Sequence, residues 1–252
     1  MAEKNKEVIL IIADISGYTK FMIENKKTLL HAQTVITALI KTVIKKARVP
    51  LKIAKLEGDA VFLFAAKENS QEKWLKEVAR IKERINAFFT AFKIQALELS
   101  RSTTCSCNAC TMTRELKLKV VVHYGNALFY KIDGNIELAG TDVILIHRLL
   151  KNSISSDEYI AFTQEAADIF NLKNISDFEK ITETYDIGTI PLYVNYPGEK
   201  LKAILKKHNR KKLNSPYYKI KNMFLKMTAM IPLMSQKHKP HFHNLPPEKP
   251  EQ

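Results

Sequence analysis

Between Val8 and Ile15 the chain reads VILIIADI, seven apolar residues and one aspartate. A run that short and that rich in β-branched side chains, closed by Ser16-Gly17, describes a strand buried on both faces. Asp14 near its end is the strongest constraint on the fold. Burying an unpaired charge costs several kcal/mol or forces the group to neutralise, so the chain has to bring Asp14 a partner. The plainer alternative is an aspartate that only caps the turn into the next helix.

The remaining pattern supplies an architecture. A helix follows the ISGYTKF turn and continues through LLHAQTVITALIKTVIKKA, where apolar residues recur at three and four. LKIAKLEGDAVFLFA then holds two apolar stretches around Gly58-Asp59, a hairpin signal. A second long helix is expected over about residues 70–97, with Trp74, Val78, Ile81, Ile85 and Phe88 on one face. A cysteine-bearing loop at 100–113 precedes strands in LKLKVVVHYG, NALFYKI and NIELAG, and a third helix runs from Asp142 to Lys151. EYIAFTQEAADIF gives a short strand and helix, and FEKITETYDI and PLYVNY two closing strands. The order is that of an α+β fold: a ferredoxin-like βαββαβ core with extra strands, an antiparallel sheet with helices mainly on one face. Pro197-Gly198 divides it into a domain of residues 1–198 and an extension of residues 199–252.

Charge follows the same division. Residues 201–252 carry 12 Lys and Arg against 2 Asp and Glu, whereas residues 1–200 carry 28 against 24. The body is electrically ordinary, which argues against a nucleic-acid-binding core, so no nucleic acid is expected as a partner. The basic tail, with Tyr, Phe, Met and Leu interleaved, reads either as an interfacial helix on an anionic membrane surface or as a solvated extension. His238, His241 and His243 near its end are candidates for loose metal binding. No run of 18 apolar residues occurs, and the N-terminus reads as a strand rather than a secretory signal. The three cysteines all fall in CSCNAC, a poor disulfide framework, so reduced thiols and a cytoplasmic location are expected.

The chemistry gathers in three places. Asp59 sits at the tip of a hairpin expected to lie beside the first strand, so that two carboxylates meet and need cations between them. Oxygen-rich donor sets of that kind suit Mg²⁺ or Mn²⁺ bridged to a phosphate. Arg148 projects from the helix in GTDVILIHRLLK. Together Asp14-Ile15-Ser16-Gly17-Tyr18-Thr19, Lys55-Leu56-Glu57-Gly58-Asp59, Val122-His123-Tyr124-Gly125 and Gly140-Thr141-Asp142-Val143-Ile144 continuing to Arg148-Leu149 resemble, in order, the motifs of the class III adenylyl and guanylyl cyclase catalytic domain, over roughly residues 6–196.

That resemblance implies that Asp14, Asp59 and the carbonyl of Ile15 hold two divalent ions. It also implies that Lys55 and Glu137 read a purine, adenine before guanine, and that Arg148 stabilises charge on the α-phosphate. The groups would come from two subunits of a head-to-tail homodimer, with a purine nucleoside triphosphate as ligand and cyclic AMP as the product. The departures matter as much. Ile144 stands where the family has a hydrogen-bonding Asn. No Lys matches the family's triphosphate contact in TYDIGTIPLYV, and Glu57 adds an acid two residues before Asp59. Losing one transition-state contact costs about 2.7–4 kcal/mol by analogy with an oxyanion-hole donor. Two readings therefore stand side by side: a divergent cyclase, and a catalytically degenerate cyclase-fold domain kept for regulation or dimerisation.

Cys105, Cys107 and Cys110 place three thiols within reach of one soft ion such as Zn²⁺, with His123 the candidate fourth ligand. A thiol-rich loop without metal, a core-packed His123 and a surface His147 are the plainer alternatives.

Overall fold

A computed structural model describes residues 4–67, 70–101, 107–133, 135–172 and 176–209, together with six positions in the tail at 216, 217, 220, 221, 223 and 224. Strand β1 (Lys4–Ser16) lies at the centre of an eight-stranded sheet. On one side it pairs antiparallel with β3 (Ala60–Ala66), which is joined to β2 (Lys52–Glu57) by the Gly58-Asp59 turn. On the other side it pairs antiparallel with β4 (Lys117–Ile132) over thirteen positions, from Lys4 opposite Phe129 to Ser16 opposite Lys117. The order β2-β3-β1-β4 is the ferredoxin-like core expected from the element pattern. Beyond it, β6 (Tyr159–Thr163) runs parallel to β4, and the hairpin β7 (Glu179–Tyr185) and β8 (Gly188–Asn195) closes the edge. β5 (Asn135–Ala139) folds back on the far half of β4.

Both faces of β1 are covered, as its uninterrupted apolar run requires. Ile9, Ile11, Ala13 and Ile15 point to a layer made by α1 (Tyr18–Glu24), α2 (Leu29–Lys46) and α3 (Gln71–Arg101). Val8, Leu10 and Ile12 point the other way, to Val143 and Ile146 of α5 (Thr141–Arg148), to Leu149 just after it, and to Phe62 and Phe64 of β3. The helices thus lie mainly on one face, with α5 on the other. Each fully buried Ile or Leu contributes about 1.5–3 kcal/mol, so β1 carries a large share of the core. Trp74, Val78, Ile81, Ile85 and Phe88 are all buried, and α3 extends the expected helix by a turn.

Local differences from the sequence pattern have physical causes. The first helix is broken because Asn25 folds its side-chain amide back onto the Phe21 carbonyl at 2.8 Å, and a single 3₁₀ turn (Lys26–Thr28) follows. LKLKVVVHYG and NALFYKI are one strand, since Gly125 passes through the pleat without a turn. The cysteine loop contains a short helix, α4 (Asn108–Met112), seated against α2 and α3. α6 (Gln164–Ile169) is capped by the Thr163 hydroxyl, and α7 (Gly198–Asn209) docks on α3 by burying Leu201. Among the described residues no helix is long and apolar enough to cross a membrane.

Candidate functional site

The β1–β3 register sets Asp14 opposite Ala60, one residue past Asp59. Gly58, at φ 65°, allows the tight turn that turns Asp59 back toward β1. The two carboxyl groups come within hydrogen-bonding reach of each other. Burial, followed by the charge and hydrogen bond of Asp14, pushes Asp59 up to about 7 from its ordinary 3.8. The two acids therefore face each other across neighbouring strands, as the fold pattern demanded. Tyr18, the first residue of α1, feels the same charge: burial and then Asp59 raise its phenol.

One resident of this site was not read from the sequence. Lys119 of β4 lies directly across from Asp14, with its Nζ 3.0 Å from Asp14 Oδ2 and 3.5 Å from the Leu150 carbonyl. Its positive charge offsets part of the repulsion between the acids and lowers Asp59 somewhat. Alternation in LKLKVVV marks Lys119 as facing one side of a strand. Only the β1–β4 register shows which carboxylate it meets. The backbone of Ile15 follows Asp14 directly, and its side chain is buried in the helical layer.

Lys55 and Glu137 come from different hairpins yet line the same cleft, with Glu57, Phe62, Val143 and His147 around them. The cleft measures about 90 Å³, far below the roughly 300 Å³ at which a small-molecule pocket begins to enclose its ligand. His147 Nδ1 lies 3.4 Å from Glu57 Oε2 and its ring packs edge-on to Phe62, so His147 ties α5 to the β2–β3 hairpin. Arg148, exposed at the end of α5, pairs with Asp186 at 3.0 Å. Ile144 projects from the same helix and is 53% exposed, an apolar side chain left in the open.

His123 is not near the cysteines. It is buried beneath α5 and α6, with Nδ1 2.8 Å from the Thr163 hydroxyl and Nε2 3.3 Å from Asp142 Oδ1, close but not aligned as a hydrogen bond. Asp142 in turn accepts the Asn126 backbone N–H at 2.6 Å. The His123 ring, then that N–H, hold Asp142 below the usual carboxylate range against the opposing effect of burial. Gly125 makes room for this arrangement: a Cβ there would run into Asp142 Oδ2 and come within 2.8 Å of His123 Nε2. The expectation that His123 completes a cysteine metal site is thereby corrected, because its strand position points it into the α5–α6 packing. Cys107 and Cys110 instead lie beside His31 of α2. Cys105 lies outside the described residues, as do His238, His241, His243 and most of the basic tail.

A wider concavity, about 940 Å³, is elsewhere. It is an open trough at the start of β1 lined by Lys4, Lys6, Lys52, Lys67 and Lys73. Ten residues of strand separate Lys4 from Asp14, about 33 Å, so the trough belongs to the far end of the sheet from the acids.

Comparison with solved structures agrees on the architecture. The adenylyl cyclase CyaB from P. aeruginosa superposes with a TM-score of 0.55 at 16% identity, covering 77% of this chain and 96% of that one. A guanylyl cyclase domain of the RhoGC fusion protein from the aquatic fungus Blastocladiella emersonii gives 0.52 at 12% identity, covering 78% and 99%. The catalytic core of a rhodopsin-guanylyl cyclase with converted specificity, in complex with ATPalphaS, gives 0.53 at 13%, covering 77% and 97%. The fold is that of the class III adenylyl and guanylyl cyclase catalytic domains. Within it, residues 36–159 match the family described as Protein of unknown function (DUF2652). The chain is also 33% identical over 153 residues to Uncharacterized protein Rv2561/Rv2562 of Mycobacterium tuberculosis, covering 58% of this chain and 68% of that protein, and it belongs to the same family.

Proposed function

We propose that this protein binds a purine nucleoside triphosphate together with two divalent metal ions at the interface of a homodimer, and that it turns ATP into cyclic AMP slowly. The observation that carries the reading is the Asp14–Asp59 pair: two acids from neighbouring strands, brought close enough to share a proton. Two carboxyl groups this close repel when both are ionised, unless a cation lies between them. Asp14 and Asp59, with the Ile15 carbonyl, are the residues to hold Mg²⁺ or Mn²⁺. When bound, such ions neutralise the triphosphate and activate the ribose 3′-hydroxyl.

The chain's own residues supply the rest. Lys55 donates and Glu137 accepts at a purine edge, a pairing that suits adenine's ring nitrogen and exocyclic amine, and their shared cleft supports this. The small volume of that cleft in one protomer favours enclosure by a second subunit. Arg148 meets the α-phosphate after exchanging its exposed Asp186 partner, a weak surface pair. Ile144 offers no hydrogen bond at the position that orients the ribose, so turnover is expected two to three decades below that of a complete site.

A second reading, a catalytically degenerate domain kept for dimerisation, draws on Lys119, which already supplies a positive charge to Asp14. Isothermal titration with a non-hydrolysable ATP analogue and Mn²⁺, alongside a cyclic AMP assay, separates the two. Mn²⁺-dependent binding that Asp14→Ala abolishes supports the nucleotide reading. Binding that is absent, or indifferent to Asp14→Ala, leaves the degenerate domain.

A further inference from the structure

The helical layer holds a second constellation, made of residues other than the acid pair. His31 projects from the first turn of α2. Cys107 precedes α4, and Cys110 lies one turn into it, held there as the Cys110 N–H bonds the Cys107 carbonyl at 3.0 Å. His31 Nδ1 lies 3.3 Å from Cys107 Sγ, and Cys107 Sγ lies 3.4 Å from Cys110 Sγ; the three donor atoms fall within 4.8 Å of one another. His31 and Cys107 are partly open and Cys110 is buried.

These spacings can be compared with what a tetrahedral ion requires. Metal–sulfur bonds of about 2.3 Å and metal–nitrogen bonds of about 2.0–2.1 Å place two sulfurs about 3.8 Å apart and a sulfur and a nitrogen about 3.5 Å apart. The His31–Cys107 and Cys107–Cys110 spacings already stand within a few tenths of an ångström of those values, and the third donor pair lies within 4.8 Å. The sulfurs are well beyond the roughly 2.05 Å of a disulfide. Two thiolates and an imidazole select a borderline-soft cation over Mg²⁺ or Mn²⁺.

We infer that His31, Cys107 and Cys110 form a zinc site, chemically separate from the carboxylate pair, that staples α4 to α2. Three protein ligands leave one tetrahedral position for a water or a further donor. The ion joins residues 76 and 79 positions apart in sequence, and so fixes the segment between α3 and β4 against the helical layer. Ala109, Met112 and Leu116 of that segment pack into the same core as Phe21 of α1, the helix that begins four residues after Asp14. Occupancy of the thiolate site therefore bears on how firmly the start of α1 is held.

The test uses the full chain, stripped of metal under reducing conditions and titrated with Co²⁺ and then with Zn²⁺ against a chromophoric chelator. The expected result is one equivalent of Co²⁺ showing thiolate-to-cobalt charge transfer and the intense visible bands of a tetrahedral ion, displaced by one equivalent of Zn²⁺. Thiolate bands separate this site from the His-rich C-terminal end, which contains no sulfur donor after residue 110 other than methionine. His31→Ala and Cys110→Ser should each weaken Zn²⁺ by on the order of 100-fold or more, at least the roughly 10–100-fold that loss of an outer-shell partner causes. His147→Ala should bind as wild type. Because Cys110 is buried, its variant is read beside His31→Ala, whose side chain is partly open, with circular dichroism checking that both are folded. Wild-type protein lacking thiolate–cobalt bands overturns the inference. So does His31→Ala with wild-type spectrum and affinity, or a Cys107–Cys110 disulfide forming in air as readily with saturating Zn²⁺ as without it.

Discussion

Replacing Asp59 by Asn keeps the shape of the hairpin tip and removes its titration, which isolates the electrostatics of the acid pair. In the folded protein Asp59 is raised from 3.8 to about 7, so between those pH values the native state binds a proton that the unfolded chain does not. The stability tied to that proton is fully present below about 3.8. It falls as pH rises through the window and is lost above about 7. A difference of about 3 pH units at about 1.4 kcal/mol each sets a ceiling of about 4 kcal/mol. Asp59 sits in a partly open turn with Lys119 nearby, and solvent screening reduces the figure to about 1–2 kcal/mol. Asp59→Asn should match wild type at about pH 3.5 and melt about 2–8 °C higher at pH 8.5 in EDTA, at about 2–4 °C per kcal/mol for a chain of this size. Thermal melts by circular dichroism across that pH range measure the gap. Mn²⁺ should raise the wild type at pH 8.5 and leave the variant unmoved. A gap of equal size at both pH values, or a variant less stable than wild type at pH 8.5, refutes the reasoning.

Lys119→Met withdraws the positive charge from Asp14, so the pH at which stability is lost should move upward and the melting point at pH 8.5 should drop by the equivalent of about 1–2 kcal/mol, read from the same melts. Gly125→Ala should cost about 1–3 kcal/mol in urea unfolding, because its Cβ displaces Asp142. Asp142→Ala in the same chain should recover part of that loss rather than add to it. Trp74→Ala, at a fully buried position beside Tyr124 of β4, should cost about 3–5 kcal/mol in the same assay. Lys55→Ala should weaken an ATP analogue while leaving the Mn²⁺ stabilisation of the nucleotide-free protein in place, which calorimetry and melts read separately.

Much of the architecture was legible because its signals are local. A strand buried on both faces declares itself by eight residues without alternation, and the α3 stripe from Trp74 to Phe88 by its period. Gly58-Asp59 marks a hairpin by the conformational freedom of one glycine. The meeting of Asp14 and Asp59 followed from the topology those elements share with a known family. What stayed hidden depends on register and on loops. Lys119 meets Asp14 only once β1 and β4 are aligned residue by residue, and no local pattern fixes that alignment. His31 is 76 residues from Cys107, so nothing in CSCNAC points to it, and His123 stood as the candidate instead. The Asn25 break was invisible because a side chain turning back on its own helix leaves the apolar period intact.

The covering of β1 on both sides has a consequence for how such a protein changes over generations. The acids sit at the rim of a strand whose permanence comes from the hydrocarbon on either flank, so nothing in the scaffold asks the carboxylates to stay. A lineage can change Asp14 or Asp59 and still inherit an intact sheet. Family membership alone will therefore be a poor guide to which descendants keep the two carboxylates.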